Sequence, residues 1–183
     1  MRRSLLALTL LVALPFTASA AEGLSYNYVQ GGYVATNGDA DADGFGIDGS
    51  FAVHPNFHLF GGYNRQEIED TNIDVDQWRV GAGYNQDITD KVDLVTRIAY
   101  EKFDAGGGFD FDGYSAEVGV RGAMSERIEA YVSAGYEDYE QFDGDFYGQV
   151  GAQVKFHENW GLSGDVKFAD GDAQWFIGPR VTW

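Results

Sequence analysis

The chain ends on the stretch Trp175-Phe176-Ile177-Gly178-Pro179-Arg180-Val181-Thr182-Trp183, in which every second residue from Trp175 onward is uncharged and mostly apolar. Successive side chains of a β-strand point to opposite faces, so this period of two indicates a strand with one apolar face. The stretch is typical of the last strand of an outer-membrane β-barrel, which faces lipid on one side and a polar interior on the other. We expect its outward residues to form the signal read by the barrel-assembly machinery: Trp175, Ile177, Val181 and Trp183.

The same alternation recurs upstream along most of the chain. Eight segments show it clearly: 45–53, 78–84, 92–100, 114–122, 128–136, 146–156, 162–168 and 175–183. Two further segments, 24–35 and 57–66, alternate less regularly. The sequence therefore predicts an all-β fold, a ten-stranded up-and-down antiparallel transmembrane β-barrel joined as five hairpins. Eight strands are the alternative if the two less regular segments are not part of the wall.

The connections between these segments alternate between short and long. Short turns are expected at 54–56, 125–127 and 157–159, with a slightly longer one at 86–91, whereas 37–44, 69–73, 104–113 and 140–145 carry glycine and acid. Short turns of outer-membrane barrels face the periplasm and longer loops face outward. Both ends of the barrel domain are therefore expected at the periplasmic side.

The two faces of the eight clear strands differ in charge. The set containing Phe45, Val118 and Val150 has no charged residue. The opposite set carries the following charges: Asp48, Arg79, Asp93, Arg97, Glu117, Arg121, Glu129, Lys155, Asp165, Lys167 and Arg180. A Lys or Arg facing lipid near the bilayer midplane costs roughly 2 to 4 kcal/mol, so this separation is what a membrane demands.

Periodicity alone does not decide which face is inside, because a soluble lipocalin-like barrel reverses the two. Aromatic residues near the ends of the strands, including Trp78, Tyr114 and Phe156, resemble interfacial girdles and favour lipid outside. The predicted interior is an ion-paired plug around Arg79, Arg97, Glu117, Arg121 and Glu129, extended by Lys155, Asp165, Lys167 and Arg180, rather than a wide pore. Pro179 cannot donate to a β-ladder, so a bulge or a weak seam is expected there.

The first residues have the composition of an export signal. Arg2 and Arg3 precede an apolar run from Leu5 to Phe16, which is followed by Ala18-Ser19-Ala20. Cleavage after Ala20 is predicted, leaving residues 21–183 as one outer-membrane barrel domain. Removing the two arginines takes the formal net charge from -17 to -19. So acidic a chain is not expected to bind nucleic acid, which requires a basic surface.

The predicted outer loops are acidic. Asp39, Asp41, Asp43 and Gly44 match the first half of a calcium-binding loop, although Ser50 stands at its twelfth position. Either a weak Ca²⁺ or Mg²⁺ site or a solvated acidic loop fits this pattern. The other predicted outer loops are also rich in Asp and Glu. Divalent cations are therefore expected to bridge these loops to anionic lipopolysaccharide and outer-membrane lipid.

Candidates for catalysis are few. The three histidines, His54, His58 and His157, all fall at or beside predicted periplasmic turns, and no nucleophile and base pattern is visible. We expect no enzymatic activity and no required cofactor.

Four strings carry a resemblance to a known family: residues 21–29 (AEGLSYNYV), 52–68 (AVHPNFHLFGGYNRQEI), 100–105 (YEKFDA) and 166–172 (VKFADGD). Together they closely resemble the xanthomonad diffusible-signal-factor-regulated outer-membrane protein family. That family is also labelled a sulfation-dependent quorum factor and an activator of plant innate immunity. The resemblance implies an outer-membrane barrel linked to biofilm, motility and host contact, and it maps the sulfated tyrosine of the quorum label to Tyr26.

The expected function is structural or interactive: a small outer-membrane barrel with a mostly filled lumen and acidic outer loops that contacts a host or cell-surface partner. The alternatives are a narrow porin-like diffusion channel, a soluble periplasmic ligand barrel and the source of a secreted signalling peptide.

Overall fold

A computed structural model describes residues 21, 23–38, 41–71, 73–106, 108–140 and 143–183. The predicted export signal, residues 1–20, lies outside the described residues. Within the described ranges ten strands follow one another: β1 (Tyr28–Asn37), β2 (Ala42–His54), β3 (Phe57–Ile68), β4 (Asp74–Thr89), β5 (Val92–Asp104), β6 (Asp110–Ser125), β7 (Ile128–Tyr139), β8 (Asp145–His157), β9 (Trp160–Ala169) and β10 (Asp172–Thr182).

The strands form one closed antiparallel sheet. Each strand pairs with its neighbours in sequence, and β1 pairs with β10 from Tyr28 opposite Thr182 to Asn37 opposite Ala173. The prediction of a ten-stranded up-and-down barrel is confirmed. No helix in the described part of the chain is long and apolar enough to span a membrane.

The uncharged face of the strands points outward, as predicted. Val118 and Val150 are 50% and 49% exposed at the barrel surface, whereas Arg121 is only 6% exposed inside. The lipocalin-like arrangement would reverse these values. Aromatic side chains on the outward face lie near the strand ends, and several contact one another, such as Tyr100 with Tyr114 and Phe156 with Trp160.

Four two-residue turns close the end that we assign to the periplasm. They lie between His54 and Phe57, Thr89 and Val92, Ser125 and Ile128, and His157 and Trp160. A register shift precedes each turn, in β2, β4, β6 and β8. The same irregularity at every turn indicates one repeated hairpin design, in which the extra residue ends the pairing and directs the chain back.

The outer ends of the strands extend further than the alternation predicts. The outer connections cover only 38–41, 69–73, 105–109, 140–144 and 170–171, and β4 and β6 each contain 16 residues. The predicted long loops 37–44 and 104–113 are therefore partly strand. Above the bilayer both faces of a hairpin meet water, so pairing continues there without an apolar face to reveal it.

The seam between β1 and β10 is interrupted near Pro179. Gln30 pairs with Arg180 and Tyr33 with Ile177, but the register contains no pair between Gly31 or Gly32 and Gly178 or Pro179. The register is the same on both sides of this gap, so the structure has a weak seam there and no shift of the strands. Pro179 still lies opposite Leu162 of β9.

The outward orientation of the uncharged face predicts the effect of adding a charge to it. Val118→Arg should lower the free energy of unfolding by about 2 to 4 kcal/mol, because the guanidinium would face hydrocarbon near the midplane. Val53→Arg, on the same face close to a periplasmic turn, should cost about 0 to 1 kcal/mol. Guanidine unfolding of the protein folded into vesicles measures both. Equal costs for the two substitutions would contradict the orientation.

Candidate functional site in the barrel lumen

The charged face of the strands lines the lumen, where most of the predicted ion-pairing residues meet a partner of opposite sign. Arg79 Nη2 lies 2.7 Å from Asp48 Oδ1, and Arg97 Nη1 lies 3.7 Å from Glu117 Oε1. Higher in the barrel, Lys167 Nζ lies 2.5 Å from Glu137 Oε2. Each pair joins different strands, and Tyr147 links two of the pairs, because its hydroxyl donates to Glu117 Oε2 at 3.3 Å and Lys167 Nζ lies 4.4 Å from the centre of its ring.

The most buried ion pairs lie at the periplasmic base. Glu129 Oε2 accepts hydrogen bonds from Arg121 Nη2 at 2.5 Å and Arg121 Nε at 3.1 Å, while Lys155 Nζ lies 2.5 Å from Glu129 Oε1. The Arg121 and Glu129 side chains are 7% and 3% exposed. Two cations therefore share one carboxylate inside the protein, and removal of that carboxylate would leave both of them without a counter-charge.

Two residues of the predicted network have neutral partners instead. Asp165 accepts hydrogen bonds from Tyr131 Oη at 2.9 Å and Gln149 Nε2 at 2.8 Å. Arg180 donates to Gln30 Oε1 at 2.7 Å and Gln153 Oε1 at 3.4 Å, with its guanidinium 4.3 Å from the centre of the Tyr28 ring. Both side chains lie in the lumen, but no carboxylate of the described residues forms an ion pair with Arg180.

The chain before β1 enters the lumen, which the sequence did not indicate. Residues 24–35 were predicted as a strand, but the strand begins at Tyr28. Residues 21 and 23–27, here called the N-terminal plug, occupy the periplasmic base, where Ala21 and Tyr26 are 3% exposed and Leu24 is 9% exposed. The alternation of Leu24, Tyr26 and Tyr28 is real, but it reflects burial inside the lumen, not lipid contact.

Side chains of the barrel wall hold the N-terminal plug through its carbonyl groups. Arg121 Nη1 donates to Ser25 O at 2.9 Å, and Lys155 Nζ donates to Gly23 O at 2.8 Å. Arg121 and Lys155, which both pair with Glu129, thus also bind the N-terminal plug. Ser25 Oγ donates to Trp183 O at 3.0 Å and joins the plug to the end of the chain.

Tyr26 contacts several of the buried side chains at the periplasmic base. Its ring stacks on His58 with centroids 4.6 Å apart, and the Arg121 guanidinium lies 5.0 Å from its centre on the ring face. Its hydroxyl donates to Asp93 Oδ2 at 2.8 Å, and Ala21 N donates to Asp93 Oδ1 at 3.0 Å. Asp93 and His58 are both fully buried.

Glycine provides the space for these rings. A Cβ on Gly83 would lie 2.2 Å from His58 Nε2, and a Cβ on Gly135 would lie 2.3 Å from Tyr147 Cζ. Real Cβ atoms do not approach that closely, so these two lumen positions must be glycine for the neighbouring rings to fit.

A cavity of about 500 Å³ lies above the base. Its lining includes Arg79, Arg97 and Glu117 and extends to Asp170 at the outer end of the barrel. The predicted plug around Arg79, Arg97, Glu117, Arg121 and Glu129 is therefore corrected. Glu129 belongs to the filled base and does not line the cavity, Arg121 lies between the two regions and lines the cavity as well, and the other three residues face the cavity. Ten strands enclose more room than side chains alone fill, and the N-terminal plug supplies the missing atoms at one end.

The predicted cation loop and the assembly signal lie elsewhere. Asp39 lies outside the described residues, Asp41 is in the connection after β1 with its Oδ1 accepting from Gly38 N at 3.2 Å, and Asp43 is in β2. No group of three or more His, Cys, Asp or Glu side chains in the described ranges is placed to hold a metal ion. The residues of the assembly signal all point outward and are 46 to 58% exposed: Trp175, Ile177, Val181 and Trp183.

Several lumen residues escaped the sequence analysis. Glu137 and Tyr139 continue the inward parity of β7, but the predicted strand ended at Tyr136. Extending the alternation by three residues would have found them. Asp93 was assigned to the charged face, but its role at the base depends on Tyr26 and Ala21, which no local pattern connects to β5.

A closed ten-stranded barrel with an apolar outer face, an ionic lumen and a sealed base defines a small outer-membrane β-barrel protein. The chain belongs to the outer membrane protein beta-barrel domain family, whose model matches residues 4–174. It is a protein of the outer membrane of Gram-negative bacteria. None of the curated proteins compared with the chain matches it.

Three solved structures are similar to the chain at low identity. The KdgM porin in complex with disordered oligogalacturonate is 9% identical, with a TM-score of 0.49 over 86% of this chain and 98% of that chain. A de novo designed transmembrane β-barrel is 14% identical, with a TM-score of 0.46 over 87% and 98%. Ail, the attachment invasion locus protein of Yersinia pestis, is 13% identical, with a TM-score of 0.40 over 87% and 100%. At these identities no ligand or activity is transferred to this chain.

The buried triad predicts a large effect of removing its carboxylate. Glu129→Ala should lower the free energy of unfolding by about 3 to 5 kcal/mol, because Arg121 and Lys155 would be left buried without a counter-charge. Asp74→Ala, which breaks the exposed Arg65–Asp74 pair, should cost about 0 to 1 kcal/mol. Guanidine unfolding in vesicles measures both free energies. If Glu129→Ala cost less than Asp74→Ala, the triad would not stabilise the base.

Proposed function

We propose that this protein is a closed, non-enzymatic barrel that acts at the outer surface of the outer membrane as an envelope and interaction protein. The observation that carries the proposal is the N-terminal plug, whose Leu24 and Tyr26 are buried in the periplasmic end of the lumen. A barrel that is filled at one end does not offer a continuous aqueous path. Its exposed chemistry is then concentrated at the opposite end, on the acidic rim.

The runner-up function is a narrow diffusion channel. The cavity of about 500 Å³ leaves room for small molecules in the outer part of the lumen. Passage through the membrane would require the N-terminal plug to leave the base, which would break the contacts of Tyr26 with Asp93 and His58. The two functions therefore differ in whether the base opens under ordinary conditions.

Ion conductance separates the two functions. The purified protein in planar bilayers should show no large or steady conductance, because the plug blocks the base. Refolded protein that lacks residues 21–26 should conduct, since this deletion removes the buried segment and leaves β1 intact. Full-length protein refolded by the same procedure is the control, and steady conductance equal to that of the deletion variant would favour the channel.

The acidic rim is the proposed interaction surface. It is the outer end of the barrel and contains the described residues Asp41, Asp43, Glu67, Glu69, Asp70, Asp74, Asp76, Asp104, Asp110, Asp112, Asp138, Glu140, Asp143, Asp145, Asp170 and Asp172. Two basic residues lie on its outward face: Arg65 pairs with Asp74 and Asp76, and Lys102 pairs with Asp110. The acid in excess repels anionic lipopolysaccharide unless cations intervene, so we propose that Ca²⁺ or Mg²⁺ bridges the two.

Chelation tests the bridging. In vesicles that contain lipopolysaccharide, a chelator should speed protease cleavage of the outer connections, and Mg²⁺ should reverse the effect, because unbridged anionic groups repel. Changing Asp70, Asp143 and Asp145 to asparagine should weaken this response, whereas changing the periplasmic acids Asp90, Glu126 and Glu158 to amides should leave it unchanged. Protease resistance that does not respond to the chelator would contradict the proposal.

The finer family assignment is also part of the proposal. We infer membership of the xanthomonad diffusible-signal-factor-regulated family from residues 21–29, 52–68, 100–105 and 166–172, and with it a link to biofilm, motility and a host or cell-surface partner. Assembly would proceed through recognition of the last strand by the barrel-assembly machinery. The burial of Tyr26 argues against the third possibility, a released signalling peptide carrying a modified tyrosine, since its hydroxyl is bonded to Asp93.

A further inference from the structure

The base of the lumen contains two carboxylates without a basic partner. Asp93 of β5 lies opposite Asp87 of β4 in the ladder and is fully buried. None of the ion pairs among the described residues involves either aspartate. Asp87 Oδ1 is buried and has no hydrogen-bond partner in the described part of the chain. Burial of a carboxylate without a cation is costly, and Asp93 is fully buried beside Asp87, so a positive group at this site would stabilise the base.

The nitrogen of Ala21 already occupies this site. It donates to Asp93 Oδ1 at 3.0 Å, and Ala21 itself is 3% exposed. Ala21 is also the first residue after the predicted cleavage position, because Ala18-Ser19-Ala20 has the small-residue pattern of an export signal. The atom that processing would convert into an amino terminus is therefore the atom bound to the unpaired carboxylate.

We propose that the α-ammonium group of Ala21, formed when the export signal is removed, is the counter-ion of Asp93 and closes the periplasmic base. In that hydrolysis the Ala20–Ala21 amide bond breaks, water supplies the hydroxyl of the new Ala20 carboxyl group and one hydrogen to nitrogen, and a further proton from solvent makes the amine a cation at neutral pH. The bond in the lumen is then between an ammonium and a carboxylate, which is stronger than a bond from a neutral amide.

The number of donors supports this assignment. A peptide nitrogen at Ala21 offers one N–H and no charge, whereas an ammonium group offers three N–H donors and a positive charge. One donor serves Asp93, and the ammonium group brings two further donors and a charge to a base in which Asp87 Oδ1 has no hydrogen-bond partner among the described residues. The positive charge at the base thus belongs to the main-chain amine and not to a side chain. It forms only after the export signal is removed.

The consequence is an order of events. Unprocessed chain would place an uncharged amide beside Asp93, so its base would be less stable than that of the mature protein. Removal of the signal both releases the chain and supplies the ion pair that fixes the N-terminal plug. The ion pair strengthens the closure of the base on which the proposed function rests, but it does not depend on the proposed role of the acidic rim.

The accessibility of the α-amine tests the proposal. Intact mass of the protein from the outer membrane should correspond to a first residue at Ala21. An amine-reactive acetylating reagent at neutral pH should then modify Ala21 about tenfold or more slowly in the folded barrel than in boiled protein, because reaction requires the buried pair to open. Tryptic peptide 21–65, quantified by mass spectrometry, reports this rate.

Matched substitutions identify the partner. Asp93→Asn should raise the labelling rate of Ala21 toward that of boiled protein, because the shape is retained but the charge is lost. Asp165→Asn is the control, since Asp165 also accepts from a tyrosine hydroxyl and one N–H donor inside the lumen but lies away from Ala21. The labelling rate of Ala21 in the Asp165→Asn variant should equal that in the protein without a substitution.

A second comparison needs no substitution. Two proteins are refolded from urea, one with Ala21 as its first residue and one with Ser-Gly added before Ala21. The first should need a higher heating temperature before its band moves from the folded to the unfolded position on a gel, because the added residues turn the ammonium into an amide. A first residue other than Ala21, equal labelling of folded and boiled protein, equal effects of the two substitutions, or equal heat-shift temperatures would each overturn the proposal.

Discussion

The absence of hydrogen-bonding solvent inside a bilayer is the constraint on which the rest of this structure depends. Every backbone N–H and C=O at that depth must be satisfied by the protein, so a sheet that crosses the membrane must close on itself. Pairing of β1 with β10 achieves the closure, even across the gap at Gly31 and Pro179. The same constraint requires that no charged side chain faces lipid, which produces the alternation along the strands.

Closure creates an interior that must be filled, and the protein fills its two ends differently. At the periplasmic base, Arg121 and Lys155 both pair with Glu129, and each of the two cations also donates to a carbonyl group of the N-terminal plug. Towards the outside, the ion pairs line a cavity instead of closing it. The charged face thus lines a cavity in the outer part of the lumen and forms part of a packed core at the periplasmic base. The two regions differ because the N-terminal plug fills only the base.

The sequence predicted the strand number and most of the lumen charges, because the membrane imposes the same period of two on every strand, and the aromatic residues near the strand ends indicated which face is outside. It did not predict where the strands end outside the bilayer, since the alternation fades once both faces meet water, as at Ala42 and Asp110. Nor did it predict the N-terminal plug: Leu24 and Tyr26 show the alternation of a strand while binding inside the lumen. Contacts such as Tyr26 with Asp93 join distant segments, and no local pattern encodes them.

Tryptophan fluorescence tests most directly whether the uncharged face lies in lipid. All four tryptophans, Trp78, Trp160, Trp175 and Trp183, point outward and are 48 to 58% exposed at the barrel surface. In vesicles whose acyl chains carry bromine, their emission should be strongly quenched, while aqueous iodide should have little effect. Quenching by iodide together with unchanged emission in brominated lipid would show that this face meets water and would contradict the account.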